Sequence, residues 1–286
     1  MEGKRKRRLP GVAAALAAVT LLTTGASSGA AVSSPLEEWG AFEPAKRETA
    51  IHVFWKKTPG NGLPEPDGLK EKALPEGAGE GTFSPVAESE AVEDTYFEDA
   101  VFLGDSRTEG LSLYSGLKTG HFYTAVGATV ESVFSKNVWK TESGEKVPLL
   151  DAVAAQPCGK IYIMLGVNEL GWTKTSNFHD QYGRLVDRLR EDHPEARIVL
   201  QSIPPVSAKQ EAKQSYVNNA RILVYNEVIR TLAEEKQCDF LDVAECLTGE
   251  DGLLPADLNF DGIHLNPAGC RIWLNYLRTH SLEEDA

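Results

Sequence analysis

Apolar and polar positions follow three different patterns along this chain. Residues 12–22 form one uncharged apolar run, Val-Ala-Ala-Ala-Leu-Ala-Ala-Val-Thr-Leu-Leu. From 33 to about 95 no period survives, because Pro59, Gly60, Pro64, Pro66, Pro75, Gly77, Gly79 and Gly81 interrupt it. Beyond that, short runs rich in β-branched and aromatic residues take turns with longer stretches of helical period. Strands are expected at Ala100–Leu103, His121–Val126, Lys160–Leu165, Arg197–Ile203 and Asp239–Val243. Helical patterns fill the intervals at Leu149–Gln156, around Phe178–His193 and from about Lys213 to Lys236. In the last, Ala220, Leu223, Val224, Val228, Leu232 and Ala233 recur at three- and four-residue steps and predict one apolar stripe. A final helix should open at Asn266-Pro267, with asparagine as cap and proline in the first turn. Strands alternating with helices predict an α/β fold, a three-layer α/β/α sandwich around a five-stranded parallel sheet.

The patterns divide the chain into 1–31, 32–95 and 96–282. Lys4-Arg5-Lys6-Arg7-Arg8 precedes the first apolar run, and small residues from Gly25 to Ala31 follow it. A basic start, a short apolar core and a small-residue exit describe an export signal cleaved near Ala30 or Ala31. The core is shorter than the roughly 20 residues of a spanning helix, so a retained anchor is the second reading. Residues 32–95 read as an acidic, Pro/Gly-rich and mostly disordered tether, with acids and no base between Glu76 and Asp94. One island, Ala50-Ile51-His52-Val53-Phe54-Trp55, could be a lone strand.

The formal charge of −13 excludes non-specific binding to nucleic acid, and no basic face offsets it. Removing the export segment takes away five bases and one acid, Glu2, and makes the chain more acidic still. Cys158, Cys238, Cys246 and Cys270 permit disulfides in an exported chain, with Cys246–Cys270 the pair preferred, and small buried residues the equal alternative.

Three strand exits hold the candidate chemistry. The first is Gly104-Asp105-Ser106, the second ends at Gly127, and the third is Gly166-Val167-Asn168-Glu169. In a parallel sheet these exits share one edge, where α/β folds place their chemistry. Ser106 offers a hydroxyl, Gly127 and Gly166 let backbone approach a substrate, and the Asn168 amide is a donor that cannot ionise. Near the C-terminus, Asp261 and His264 stand three apart on a loop. An imidazole held through Nδ1 by Asp261 leaves Nε2 free for a serine proton.

In these blocks and their order the chain resembles the SGNH hydrolases, also called GDSL esterases and lipases. The matching blocks are Gly104-Asp105-Ser106, Gly127, Gly166-Val167-Asn168 and Asp261-Gly262-Ile263-His264. The resemblance spans about Val101 to Leu277 and implies a flavodoxin-like fold without metal or organic cofactor. It implies Ser106 as nucleophile, His264 and Asp261 as its activators, and Ser106 N–H, Gly127 N–H and the Asn168 amide as oxyanion donors. Two positions depart from the family pattern: Arg107 stands where leucine often follows the serine, and Glu169 where aspartate often follows the asparagine.

Arg107 is then expected to attract an anionic acyl or sugar acid group, and Trp172 to stack on a sugar ring, as Trp139 also could, with rim or core packing the alternative for both tryptophans. Glu109 suits a helix N-terminus and receives no catalytic part. A metal at Asp257, Asp261 and His264 is the weaker account of that loop. His52, His121, His179, His193 and His280 lack comparable partner spacing and read as structural or surface groups. The expected activity is removal of short acyl groups, such as acetyl, from glycan or other small esters by an exported protein associated peripherally with the cell envelope. An O-acyltransferase on envelope polysaccharide would use the same residues, and a non-catalytic tethered binding module is the alternative of another class.

Overall fold

The computed structural model describes residues 83–282. The export segment, the island at 50–55 and most of the stretch expected to be a tether lie outside them. In chain order the strands are β1 (Ala100–Gly104), β2 (His121–Thr124), β3 (Trp139–Lys140), β4 (Lys146–Val147), β5 (Lys160–Met164), β6 (Arg197–Gln201) and β7 (Asp239–Leu241). The helices are α1 (Ser106–Tyr114), α2 (Leu149–Ala154), α3 (Thr175–Asp192), α4 (Ala208–Glu211), α5 (Asn219–Glu235), α6 (Val243–Leu247) and α7 (Pro267–Thr279).

Five strands form one parallel sheet in the order β2-β1-β5-β6-β7. Their side chains alternate between two apolar layers, so both faces are buried, as parallel sheets require. Val101, Leu103, Ile161, Ile163 and Leu200 face α2, α3 and α5, while Phe102, Tyr162, Met164 and Val199 face α1, α6 and α7. The fold is the expected three-layer sandwich. Strand order reverses between β1 and β5, since β2 lies on one side of β1 and the rest of the sheet on the other. That reversal opens a crevice at the carboxyl ends of β1 and β5.

Three expected strands end two residues early, at Thr124, Gln201 and Leu241. Past β6 the ladder continues only through Ser202 N–H to the Leu241 carbonyl, and Ile203 N–H and C=O turn to the Asn226 side chain. The antiparallel β3–β4 hairpin was not anticipated, because two residues per strand carry no period. Trp139 lies in it and packs on Tyr123, with ring centroids 4.7 Å apart.

The apolar stripe expected on α5 is displaced. The buried face is Asn219, Ile222, Tyr225, Ile229, Leu232 and Ala233, whereas Leu223, Val224 and Val228 are half-exposed. Polar side chains turn the helix: Asn219 and Asn226 satisfy backbone beyond β6, and the Tyr225 hydroxyl donates to the Glu169 carbonyl at 2.6 Å. A stripe read from apolar residues alone misses these inward hydrogen bonds.

The boundary at 95/96 also moves. Phe83, Val86 and Val92 pack on the core, and Val86 N–H bonds the Phe240 carbonyl at 2.9 Å. Ser89 and Val92 N–H groups bond the Thr279 and Arg278 carbonyls in the last turn of α7. The stretch from 83 onward is thus part of the folded body. All four cysteines are free, so the preferred Cys246–Cys270 bridge does not form. Each of those two thiols instead faces a nearby backbone carbonyl, Val243 and Leu265 respectively.

The rotation of α5 gives a direct test. Ile229→Ala should lower the unfolding free energy by about 2–4 kcal/mol, as for other large-to-small core changes. Val228→Ala should cost less than about 1 kcal/mol, because its side chain is only partly buried at the edge of that layer. Denaturant melts of both variants check this, and equal losses would contradict the observed face.

Candidate active site

Strand β1 delivers Ser106 to the first position of α1, at the reversal crevice. Asp105 caps that helix, its Oδ1 accepting the Arg107 N–H at 2.8 Å. The Ser106 N–H is among the first of the helix, which have no intrahelical acceptor and point at the crevice.

The imidazole arrives from the loop at 255–265, after β7 and before α7. That loop is folded on itself: Asn259 and Leu265 form an antiparallel bridge, Phe260 N–H bonds the His264 carbonyl at 2.9 Å, and Gly262 N–H bonds Asn259 Oδ1 at 2.7 Å. Gly262 C=O receives the Ser207 N–H, which anchors the loop to the β6 exit. His264 Nε2 lies 3.0 Å from Ser106 Oγ, and Nδ1 lies 2.7 Å from Asp261 Oδ2. Asp261 Oδ1 accepts N–H groups of both Ile263 and His264 at 2.9 Å. Partial burial would raise the Asp261 carboxyl, but these N–H groups and the imidazole hold it down at about 2. It is therefore ionised at any physiological pH and fixes a proton on Nδ1, leaving Nε2 as the acceptor for the serine hydroxyl.

The three strand exits are joined by one amide. Asn168 Nδ2 donates to Asp105 Oδ2 at 3.1 Å and to the Ala128 carbonyl at 2.9 Å. Both amide hydrogens are therefore engaged, and a third acceptor would have to share one of them. Gly127 sits beside this junction with φ +71°, and a side chain there would meet open space. Gly166 is glycine for another reason than close approach to substrate. With φ +130°, a Cβ would stand 2.6 Å from Ile203 Cδ1, so it permits packing beneath the site.

Arg107 is not the exposed anion anchor that the sequence suggested. Its side chain is 2% exposed and lies under the crevice, with Nη1 donating to the Pro204 carbonyl at 2.8 Å. Burial lowers its pKa to about 10, while the charges of Asp105 and Asp261 work the other way. It is a buried counter-charge to both carboxylates. Trp172 packs against the core layer of α3 and α5, and does not line the depression at Ser106.

That depression, about 220 Å³, is walled by Arg107, Glu109, Gly110, Leu113 and Tyr114 of α1 and by Phe260 and Leu265 of the histidine loop. None of its aromatic residues was singled out in the sequence. The signal existed: 106, 109, 110 and 113 share a helix face, and Phe260 precedes Asp261 directly.

Beneath the site lies a second carboxyl. Glu169 is fully buried, and its Oε1 accepts the Val130 N–H at 2.6 Å. Burial raises it to about 8, Val130 opposing and the neighbouring Asp105 adding to the rise. Asp105 itself is raised by burial to about 6, against the pull of the Arg107 N–H and of the Arg107 and His264 charges.

Fold and site together define an α/β acylhydrolase of the SGNH type, with a serine, a histidine and an aspartate in one hydrogen-bonded row. The sequence profile of the GDSL-like Lipase/Acylhydrolase family matches residues 102–272, more than half of the chain. The chain belongs to that family. Among solved structures, a candidate platelet activating factor from Streptococcus pneumonia is 24% identical, with 63% of this chain and 81% of its own covered and a TM-score of 0.51. A candidate acylhydrolase from Bacteroides fragilis is 15% identical, covering 67% and 88% with a TM-score of 0.49. A GDSL-like lipase from Bacteroides thetaiotaomicron is 14% identical, covering 66% and 88% with a TM-score of 0.47. No curated protein matches the chain in sequence.

Glu169 makes stability depend on pH in a defined direction. Its folded pKa of about 8 exceeds the ordinary 4.5, so between those values the native state binds more protons than the unfolded one. Stability then falls as pH rises through that window. In Glu169→Gln, which keeps an acceptor for Val130 but cannot ionise, the decline in Tm from pH 4.5 to 8 should be clearly shallower than in the parent. An unchanged slope would show that this carboxyl is not the source.

Proposed function

We propose that the protein is an exported serine ester hydrolase that removes short acyl groups from carbohydrate or envelope glycan esters. The observation that carries the reading is the row Ser106 Oγ–His264 Nε2–Nδ1–Asp261 Oδ2, with separations of 3.0 and 2.7 Å. Ser106 Oγ attacks the ester carbonyl carbon while His264 Nε2 takes its proton, and the ionised Asp261 stabilises the imidazolium that results. The tetrahedral oxyanion then faces the Ser106 and Gly127 N–H groups. Asn168 contributes by sharing a hydrogen now given to Asp105 or the Ala128 carbonyl. His264 returns the proton to the alcohol oxygen as the C–O bond breaks, which leaves the acyl group on Ser106. Water, deprotonated by His264, releases the acid and restores the hydroxyl.

We read acyl length from the small hollow that borders Gly127. The hollow lined by Ala125, Gly127, Ala128, Ser132 and Leu149 measures about 20 Å³. That is room for about one water-sized group by the usual cavity measure, and so for a methyl rather than a chain. The basic, apolar and small-residue order of residues 1–31 supports export, and the acidic spacer supports a catalyst held at the envelope.

A fluorophosphonate probe should label the full-length protein and fail on Ser106→Ala. Acetyl esters should be cleaved in preference to long-chain esters of the same alcohol. Asp261→Asn should lower kcat by about 10³–10⁴-fold, the loss expected when the imidazole tautomer is no longer fixed. Absence of labelling on folded parent protein, or turnover confined to long acyl chains, would refute the reading.

A further inference from the structure

Ser106 borders one hollow, and Gly127, the second N–H donor of the proposed oxyanion site, borders another, smaller one. The larger one includes His264 and the outward face of α1, but neither Gly127 nor Asn168. Because the histidine proton must reach the alcohol oxygen, the alcohol half of the ester has to lie beside His264 Nε2. The larger hollow is the one that offers this place.

Its walls have a specific chemistry. Tyr114 and Phe260 form an aromatic corner, with ring centroids 5.7 Å apart and planes at 67°. They are 41% and 58% exposed, unusual for large aromatic side chains with no structural burial to gain, and Leu113 beside them is 65% exposed. Glu109 supplies a carboxylate acceptor on the same wall, while the guanidinium of Arg107 is turned beneath it to Pro204. Arg107 also borders the hollow, but its side chain is 2% exposed, so the surface offered to a ligand is apolar ring faces and one acidic acceptor. At about 220 Å³ it is smaller than the ~300–1,000 Å³ pockets that enclose a whole drug-sized ligand, and so suits one ring.

We infer that Glu109, Tyr114 and Phe260 form the alcohol subsite and select an uncharged sugar ring, its C–H face on the aromatic corner and a hydroxyl on Glu109, while rejecting sugar acids. This rests on the esterase reading of the same site and adds the alcohol and the residues that choose it. Tyr114, Phe260 and Glu109 determine specificity without joining the chemical step.

The test compares three acetyl esters on the full-length protein: an acetylated neutral methyl pyranoside, the matching acetylated uronate, and ethyl acetate. Phe260→Leu and Tyr114→Leu should lower kcat/KM for the neutral pyranoside by about three- to tenfold, the range of a lost aromatic contact, and leave ethyl acetate within about twofold. Glu109→Gln should narrow the preference for the neutral sugar over the uronate severalfold. Fluorophosphonate labelling of each variant at the parent rate shows that Ser106 and His264 are undisturbed. With labelling intact, uniform losses on all three esters, no loss on any, or a parent preference for the uronate would overturn the subsite. Failure of the parent protein to label would instead remove the esterase reading, and the subsite with it.

Discussion

Asp105 occupies the point where β1 ends, α1 begins and the exit of β5 crosses over. Its side chain is 1% exposed, and its two oxygens are divided between the Arg107 N–H and the Asn168 amide. One oxygen sets the entry of α1 and therefore the position of Ser106. The other draws in Asn168, whose second hydrogen reaches the exit of β2 at Ala128. A carboxyl so deeply placed costs free energy unless its lone pairs are filled, and here the filling groups are the parts of the site itself. The buried guanidinium of Arg107 balances its charge and, through Pro204, fixes the turn after β6 that carries Ser207 and so the histidine loop.

This arrangement gives the site a rigid half and an open half. Asp105 and Glu169 are buried among strand exits, with Ser106 and Asn168 partly buried above them. His264 and Asp261 have side chains 42% and 51% exposed, and a loop held mostly by its own hydrogen bonds carries them. The opposing placements separate three carboxyl groups chemically: Asp261, near solvent and bonded by three donors, stays ionised, whereas Asp105 and Glu169 are pushed toward the neutral form. Glu169 in place of aspartate reaches across to Val130 and ties the chain beyond β2 to the turn at 167–169.

Much of this was legible in the residues. The α/β/α class followed from period and length, and the cap at Asn266 was read correctly, its Oδ1 accepting N–H groups of Ala268 and Gly269. The order of the four blocks brought Ser106, Asp261 and His264 to one another's notice although 158 residues separate the serine from the histidine. What sequence could not supply was direction. Arg107 read as an anion anchor because it directly follows the serine, yet its position on α1 turns it inward. Trp172 looked available because it follows Asn168, yet it closes the core. The face of α5 was misjudged because Asn219, Tyr225 and Asn226 point inward for hydrogen bonds, which no apolar pattern records.

By itself, then, the amino-acid order determined the alternation of strands and helices, the strand exits at which chemistry could stand, and the types of group available there. Those properties are local: they depend on side-chain period, turn residues and caps that act within a few positions. Only the tertiary structure decided which of two adjacent residues, Ser106 or Arg107, meets solvent, and that the walls of the crevice are Tyr114 and Phe260. Those outcomes depend on burial, because the free energy of a guanidinium or an aromatic ring is set by what the rest of the chain packs against it. The Gly-Asp-Ser turn had a position from its sequence, and it acquired a site when a distant loop, a buried acid and a helix face closed around it.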